Sequence, residues 1–157
     1  LAPEHSVRVE VNTADDVENG AVYLPLTGTS AEMGDDGAVG RGNRVNGVIA
    51  PFRAASLEAA PGKNPISHVG KLYNVLALLA AQDIVESVDE VGEAQVYILS
   101  QIGKPLDRPL VATATVRSKN GALSEAAKQA VIDVIDRRLA DIEGVRRKLA
   151  NMEVRLY

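Results

Sequence analysis

The residues best suited to chemistry lie between Gly28 and Lys71, in GTSAEMGDDGAVGRGNRVNGVIAPFRAASLEAAPGKNPISHVGK. Five cations, Arg41, Arg44, Arg53, Lys63 and Lys71, share positions 41–71 with one acid, Glu58. That window is +4 in a chain of net charge −4, so all other residues together carry −8. Six of the 13 glycines fall between Gly28 and Gly47. A positive field concentrated on a glycine-rich loop suits a polyanion such as polyphosphate. The guanidinium forks of Arg41 and Arg44 match phosphate oxygens, and their glycine neighbours let the backbone come close.

Further on, Asn64, His68 and Lys71 fall at i, i+4 and i+7 of an expected helix, with Lys63 just before it. Cations there oppose the positive end of the helix dipole unless an anion is bound as well. The plain alternatives are a solvated loop for Arg41 and Arg44, and an exposed helix face for Lys63, His68 and Lys71. Asp35 and Asp36, in GDDG, suit a cation or a substrate ammonium; they also suit a turn.

Other chemistries are excluded. Gly62-Lys63 is followed by Asn64, and Leu57 stands where a P-loop needs its first glycine. Val45 stands where a dinucleotide fingerprint needs its third. With no Cys and only His5 and His68, there is no thiolate nucleophile and no zinc cluster. Ser67 and His68 are neighbours without the setting of a triad.

The elements that must position these groups follow from periodicity. Ser6–Val11 alternates as a half-buried strand, and Ala21–Thr27 is a second strand with Pro25 at an edge or end. Residues 28–47 read as loop. Asn64 and Pro65 open a helix to Glu86, with Ile66, Val69, Leu72, Tyr73, Leu76, Leu79 and Ala80 on its buried side. Ala94–Gln101 and Pro109–Val116 are strands. Ser124 caps a second helix carrying Ala127, Val131, Val134, Ile135, Leu139 and Ile142. Gly144 breaks it, Val145–Ala150 is a short helix, and Glu153–Tyr157 is a closing strand. The order β-β-α-β-β-α-β predicts an α+β fold, a largely antiparallel sheet with helices packed on one face.

At 157 residues, 46% hydrophobic, the chain suits one domain with a real core. Aromatics are 3%, which argues against a base-stacking platform, and the acidic total argues against nucleic acid altogether. No long apolar run or signal peptide suggests a membrane, and the lack of Cys fits a cytoplasmic protein. The start at Leu1 rather than Met reads as processed or truncated. On residues alone, the readings are a polyphosphate- or nucleotide-binding module, or a dimerisation domain.

The segments VNTADDVENGAVYLPLTGTSAEMGDDGAVGRGNRVNGVIAPFRAASLEAAPGKNPISHVGKLYNVLA and LSQIGKPLDRPLVA resemble archaeal-type S-adenosylmethionine synthetase (methionine adenosyltransferase). The resemblance runs from about Val9 to Ala112. It implies that methionine sulfur attacks C5′ of ATP, displacing triphosphate that is then hydrolysed, with Mg2+ and K+ assisting. It further implies a three-domain, pseudo-symmetric enzyme working as a homodimer, of which residues 1–157 are the C-terminal portion. Residues 28–71 would be its phosphate-binding loop and helix start, and 124–157 its last helices and closing strand. By position, Asp35 falls on an Asp that contacts methionine and adenosine. Arg41, in Gly40-Arg41-Gly42, and Lys63, in Gly62-Lys63-Asn64-Pro65, fall on phosphate ligands, and these two are the expected catalytic residues. The loop's second cation is a glycine here, and Arg44 is its expected substitute. His68 falls near a family Lys and Gly70 near a metal-binding Asp, which leaves Asp36 as the expected metal ligand. The family is more than twice as long, so the chain is expected to need an N-terminal part for activity.

Overall fold

In the computed structural model the described residues are 6, 8–22, 24 and 43–156. They form an α+β unit in the order β1 (Asn43–Arg44), β2 (Gly47–Val48), α1 (Val69–Ser87), β3 (Val91–Leu99), β4 (Val111–Ser118), α2 (Glu125–Ala140) and α3 (Ile142–Ala150).

Helix α1 is the centre. Its sequence VGKLYNVLALLAAQDIVES is apolar on nearly every side, and such a helix must be covered all round. Leu72, Val75, Leu76, Ala80 and Ile84 are fully buried. α1 packs against β3 on one side and against α2 and α3 on another. β3 and β4 form an antiparallel pair in which Val96 faces Ala114 and Tyr97 faces Thr113. The period-two alternation sends Ala94, Val96, Ile98, Ala114 and Val116 toward the core. A bulge between Val91 and Glu93 shifts the register where the pair begins.

Helix α2 starts where the sequence indicates: the Ser124 side chain accepts from Ala127 N–H at 3.1 Å. It ends at Asp141, not at Gly144. Gly144 lies within α3, and a Cβ there would fall 2.2 Å from Asp141 Oδ2. Glycine is thus needed at this corner for closeness rather than for breaking a helix.

The expected extended sheet divides into separate pairs, β1–β2 and β3–β4. Residues 8–11 alternate in sequence but pair with nothing among the described residues, and Val9 and Val11 stand exposed. The Ala21 strand reduces to a single bridge between Ala21 and Asp16, and 25–27 lie outside the described residues. Residues 153–156 are not a strand either, although Val154 and Leu156 rest on the core. A strand needs a partner edge as well as a pattern, and here none is offered. Within the stretch read as loop, β1 and β2 make a short hairpin around Val45 and Asn46. Among the described residues, no helix is long and apolar enough to cross a membrane.

A candidate anion site at the start of the central helix

Helix α1 begins four residues later than an Asn64 cap suggests. The Asn64 side-chain oxygen accepts from the N–H groups of Ile66 at 2.8 Å and Ser67 at 3.1 Å. These are the bonds of an N-cap to its second and third residues, but the turn they cap, 65–67, is a single one that stops short of α1. His68 becomes the N-cap, its Nδ1 accepting from Lys71 N–H at 3.4 Å. The other ring nitrogen, Nε2, lies 4.0 Å from Glu58 Oε1.

Most of the positive charge in this window is already committed. Arg44 is buried, and its Nε donates to the Ser56 carbonyl at 2.7 Å. Arg53 Nη1 donates to the carbonyls of Asn46 and Val48, each at 3.2 Å. It crosses Gly47, whose φ is +114° and whose absent Cβ would lie 2.6 Å from that nitrogen. Lys71 is 6% exposed, and its Nζ donates to the Lys63 carbonyl at 2.7 Å. Burial, then the charge of Lys63, pulls the Lys71 amine below the usual lysine range. These three cations brace backbone carbonyls, so the excess charge is partly the cost of building the loop.

Lys63 is different. It is partly exposed, and its ammonium meets a carboxylate, with Nζ 2.7 Å from Glu58 Oε1. Gly70 makes room for that carboxylate's arm: a Cβ there would lie 2.7 Å from Glu58 Cγ and 3.1 Å from His68 Cε1. Lys63 and His68 therefore meet at Glu58, a residue to which no role had been given, while the Lys71 side chain turns to the Lys63 carbonyl. Glu58's signal in the sequence was its position as the one acid among five cations.

Asp35, Asp36 and Arg41 lie outside the described residues. Among the described residues no three Asp, Glu or His side chains gather at one point. A mostly apolar groove of about 540 Å3 runs between α1 and β3, bordered by Ser56, Tyr73, Asn74 and Leu78. A smaller, polar one of about 430 Å3 lies around Asp83, Arg138 and Asp141. Lys63, His68 and Lys71 line neither.

The described residues form an α+β module with a cationic side chain on a turn, a capped helix start behind it, and a buried amine bracing the turn. The sequence model of S-adenosylmethionine synthetase (AdoMet synthetase) matches residues 1–153, and the chain belongs to that family. It is 50% identical over 160 residues to the S-adenosylmethionine synthase of Thermococcus gammatolerans, covering 100% of this chain and 40% of that one. With the S-adenosylmethionine synthase of Pyrococcus furiosus it shares 51% identity over 151 residues, covering 96% of this chain and 37% of that one. With that of Sulfurisphaera tokodaii the identity is 45% over 157 residues, covering 100% and 39%. The chain thus spans about 40% of the length of the curated relatives it matches.

Proposed function

We propose that this chain supplies the triphosphate-holding part of an S-adenosylmethionine synthase. The observation that carries this reading is the partly exposed Lys63 ammonium, braced from behind by Lys71, in a chain that matches the family along nearly its whole length. In the proposed reaction the methionine sulfur attacks C5′ of ATP. The S–C5′ bond forms, the C5′–O bond breaks, and the triphosphate leaves with the electron pair, to be hydrolysed to pyrophosphate and phosphate. A thioether is a neutral nucleophile, so no general base is required. The barrier lies in the charge gathering on the leaving triphosphate, and cations fixed beforehand lower it most.

Lys63 is assigned to that charge, together with Arg41, and His68 adds to it when protonated. Lys71 acts through Lys63, and Arg44 acts by holding the hairpin. Asp35 would offset the positive sulfonium product. Mg2+ and K+, which the resemblance implies, would rest on Asp36 and on groups beyond the described residues. The remaining parts of the reading are a three-domain pseudo-symmetric enzyme, an N-terminal part that supplies the rest of the pocket, a homodimer and a cytoplasmic setting.

The test is reconstitution. This chain given ATP, methionine and magnesium should make no S-adenosylmethionine, and adding the N-terminal part of a relative should restore turnover. Robust synthesis by the chain alone would overturn the reading.

A further inference from the structure

We infer that Glu58 is a built-in occupant of the anion seat on Lys63, a carboxylate that holds the ammonium until a phosphate oxygen displaces it. The inference rests on the phosphate reading above and adds to it how the site is kept when empty of substrate.

Four observations meet here. Glu58 is the one acid in a window of five cations. Its Oε1 lies 2.7 Å from Lys63 Nζ and 4.0 Å from His68 Nε2, so one oxygen addresses both groups, as a phosphate oxygen would. Gly70 leaves the space through which the Glu58 arm passes, since a Cβ there would meet Cγ at 2.7 Å and Cδ at 3.1 Å. And Glu58 is not needed to place the loop, because Lys71 already fixes the Lys63 carbonyl at 2.7 Å. A carboxylate that does not hold the backbone, yet sits on the ammonium, is positioned as a competitor.

The strength of the pair suits exchange. Side chains 22% and 39% exposed form an ion pair of the weak, solvent-screened kind. A monovalent anion gains little by replacing Glu58. A triphosphate, which engages several donors at once, replaces it readily. The latch therefore favours polyvalent phosphates over single anions.

The test is calorimetric titration of the full chain with inorganic tripolyphosphate at fixed ionic strength. Glu58→Gln keeps the arm over Gly70 and removes the competing charge, so it should bind about two- to five-fold tighter, the range such pairs support. Glu58→Ala, whose fold is followed by its thermal transition, should move the same way. In a Lys63→Gln background the gain from Glu58→Gln should vanish, because no seat is left to free. Unchanged or weaker binding by both Glu58 variants would overturn the inference while leaving the phosphate reading intact. An equal gain with and without Lys63 would overturn it too, as that would be general charge. No binding by any form would remove the phosphate reading and the latch together.

Discussion

The ammonium of Lys71 donates to the carbonyl oxygen of Lys63 across 2.7 Å, so a buried cation in the first turn of α1 braces the backbone that presents a more exposed one. Arg44 on Ser56 and Arg53 on Asn46 and Val48 likewise donate to backbone carbonyls. Charge that reads in the sequence as ligand-binding is in large part structural. A cation bonded to a carbonyl satisfies an acceptor that the turn would otherwise leave unpaired.

Lys71→Met should separate bracing from binding. Methionine keeps the packing of the stem and removes the donor. Stability should fall by about 1 kcal/mol as the Lys63 carbonyl loses its partner, read from urea midpoints. Tripolyphosphate affinity should fall less than in Lys63→Ala. The pH dependence is a second signature. Burial lowers the Lys71 pKa in the folded state from its usual 10.5, so between the two values the unfolded chain binds more protons. Lys71 therefore makes stability rise with pH as the value approaches 10.5, and Lys71→Met should lack that rise.

Glu90 should govern part of the acid response. Its carboxylate accepts from Ser124 N–H at 2.8 Å and Ser124 Oγ at 2.7 Å, tying the start of β3 to the cap of α2. The N–H bond, then the hydroxyl bond, lowers its pKa from the usual 4.5. A carboxylate depressed on folding stabilises above its unfolded pKa, and the contribution is lost as pH falls below that value through the folded one. Melting temperatures should drop less between pH 5 and pH 3 for Glu90→Gln than for the parent chain. Equal slopes would show that the pair does not hold in solution.

Asp83 and Arg138 clamp the C-terminal ends of α1 and α2. Arg138 Nε and Nη2 reach the two carboxylate oxygens at 2.5 and 2.7 Å, both side chains being largely buried. The hydrogen bond to Asp83 raises the Arg138 pKa, with burial opposing it. Asp83→Ala leaves a half-buried guanidinium facing no carboxylate in the clamp, and should cost about 1–3 kcal/mol. The double variant Asp83→Leu with Arg138→Met should recover part of that loss in chemical denaturation, because neither charge is then stranded.

What could be read beforehand divides along a physical line. Local signals were legible: the 3.6-residue recurrence of Leu72, Leu76 and Ala80, the Ser124 cap, and the strand from Ala94 all describe what the chain does. Signals that depend on a partner were not. Val9 and Val11 alternate correctly yet stand exposed and pair with no edge among the described residues. Asn64 does cap, through Ile66 and Ser67, but the turn it caps ends before α1, which has its own cap at His68. Gly144 reads as a helix breaker, while its role is to admit the Asp141 carboxylate. At the site, Lys63 and His68 meet Glu58 through the turn that precedes α1, not along a helix face, since both lie before Val69. Glu58 required three dimensions, since its reach to Lys63 crosses a turn.

The contrast between Lys63 and Arg44 is the sharpest test of which charges serve the ligand. Lys63 is partly exposed and meets only a side chain in its ion pair with Glu58, whereas Arg44 is 6% exposed and donates to the Ser56 backbone. Lys63→Ala should therefore cost less stability than Arg44→Ala, since a partly exposed ion pair contributes about 1 kcal/mol or less. It should weaken tripolyphosphate binding by roughly ten-fold or more, the size of a lost charge-assisted contact. In the reconstituted enzyme it should lower kcat rather than only raise KM, because the leaving triphosphate carries more charge in the transition state than in bound ATP. Arg44→Ala should behave in the opposite way, losing roughly 1.5–3 kcal/mol of stability through the lost charge-assisted hydrogen bond to the Ser56 carbonyl and a loosened hairpin. Its remaining folded fraction should still bind tripolyphosphate. If instead Arg44→Ala abolished binding while melting like the parent chain, Arg44 would be a ligand, and the hairpin would have to open to present it.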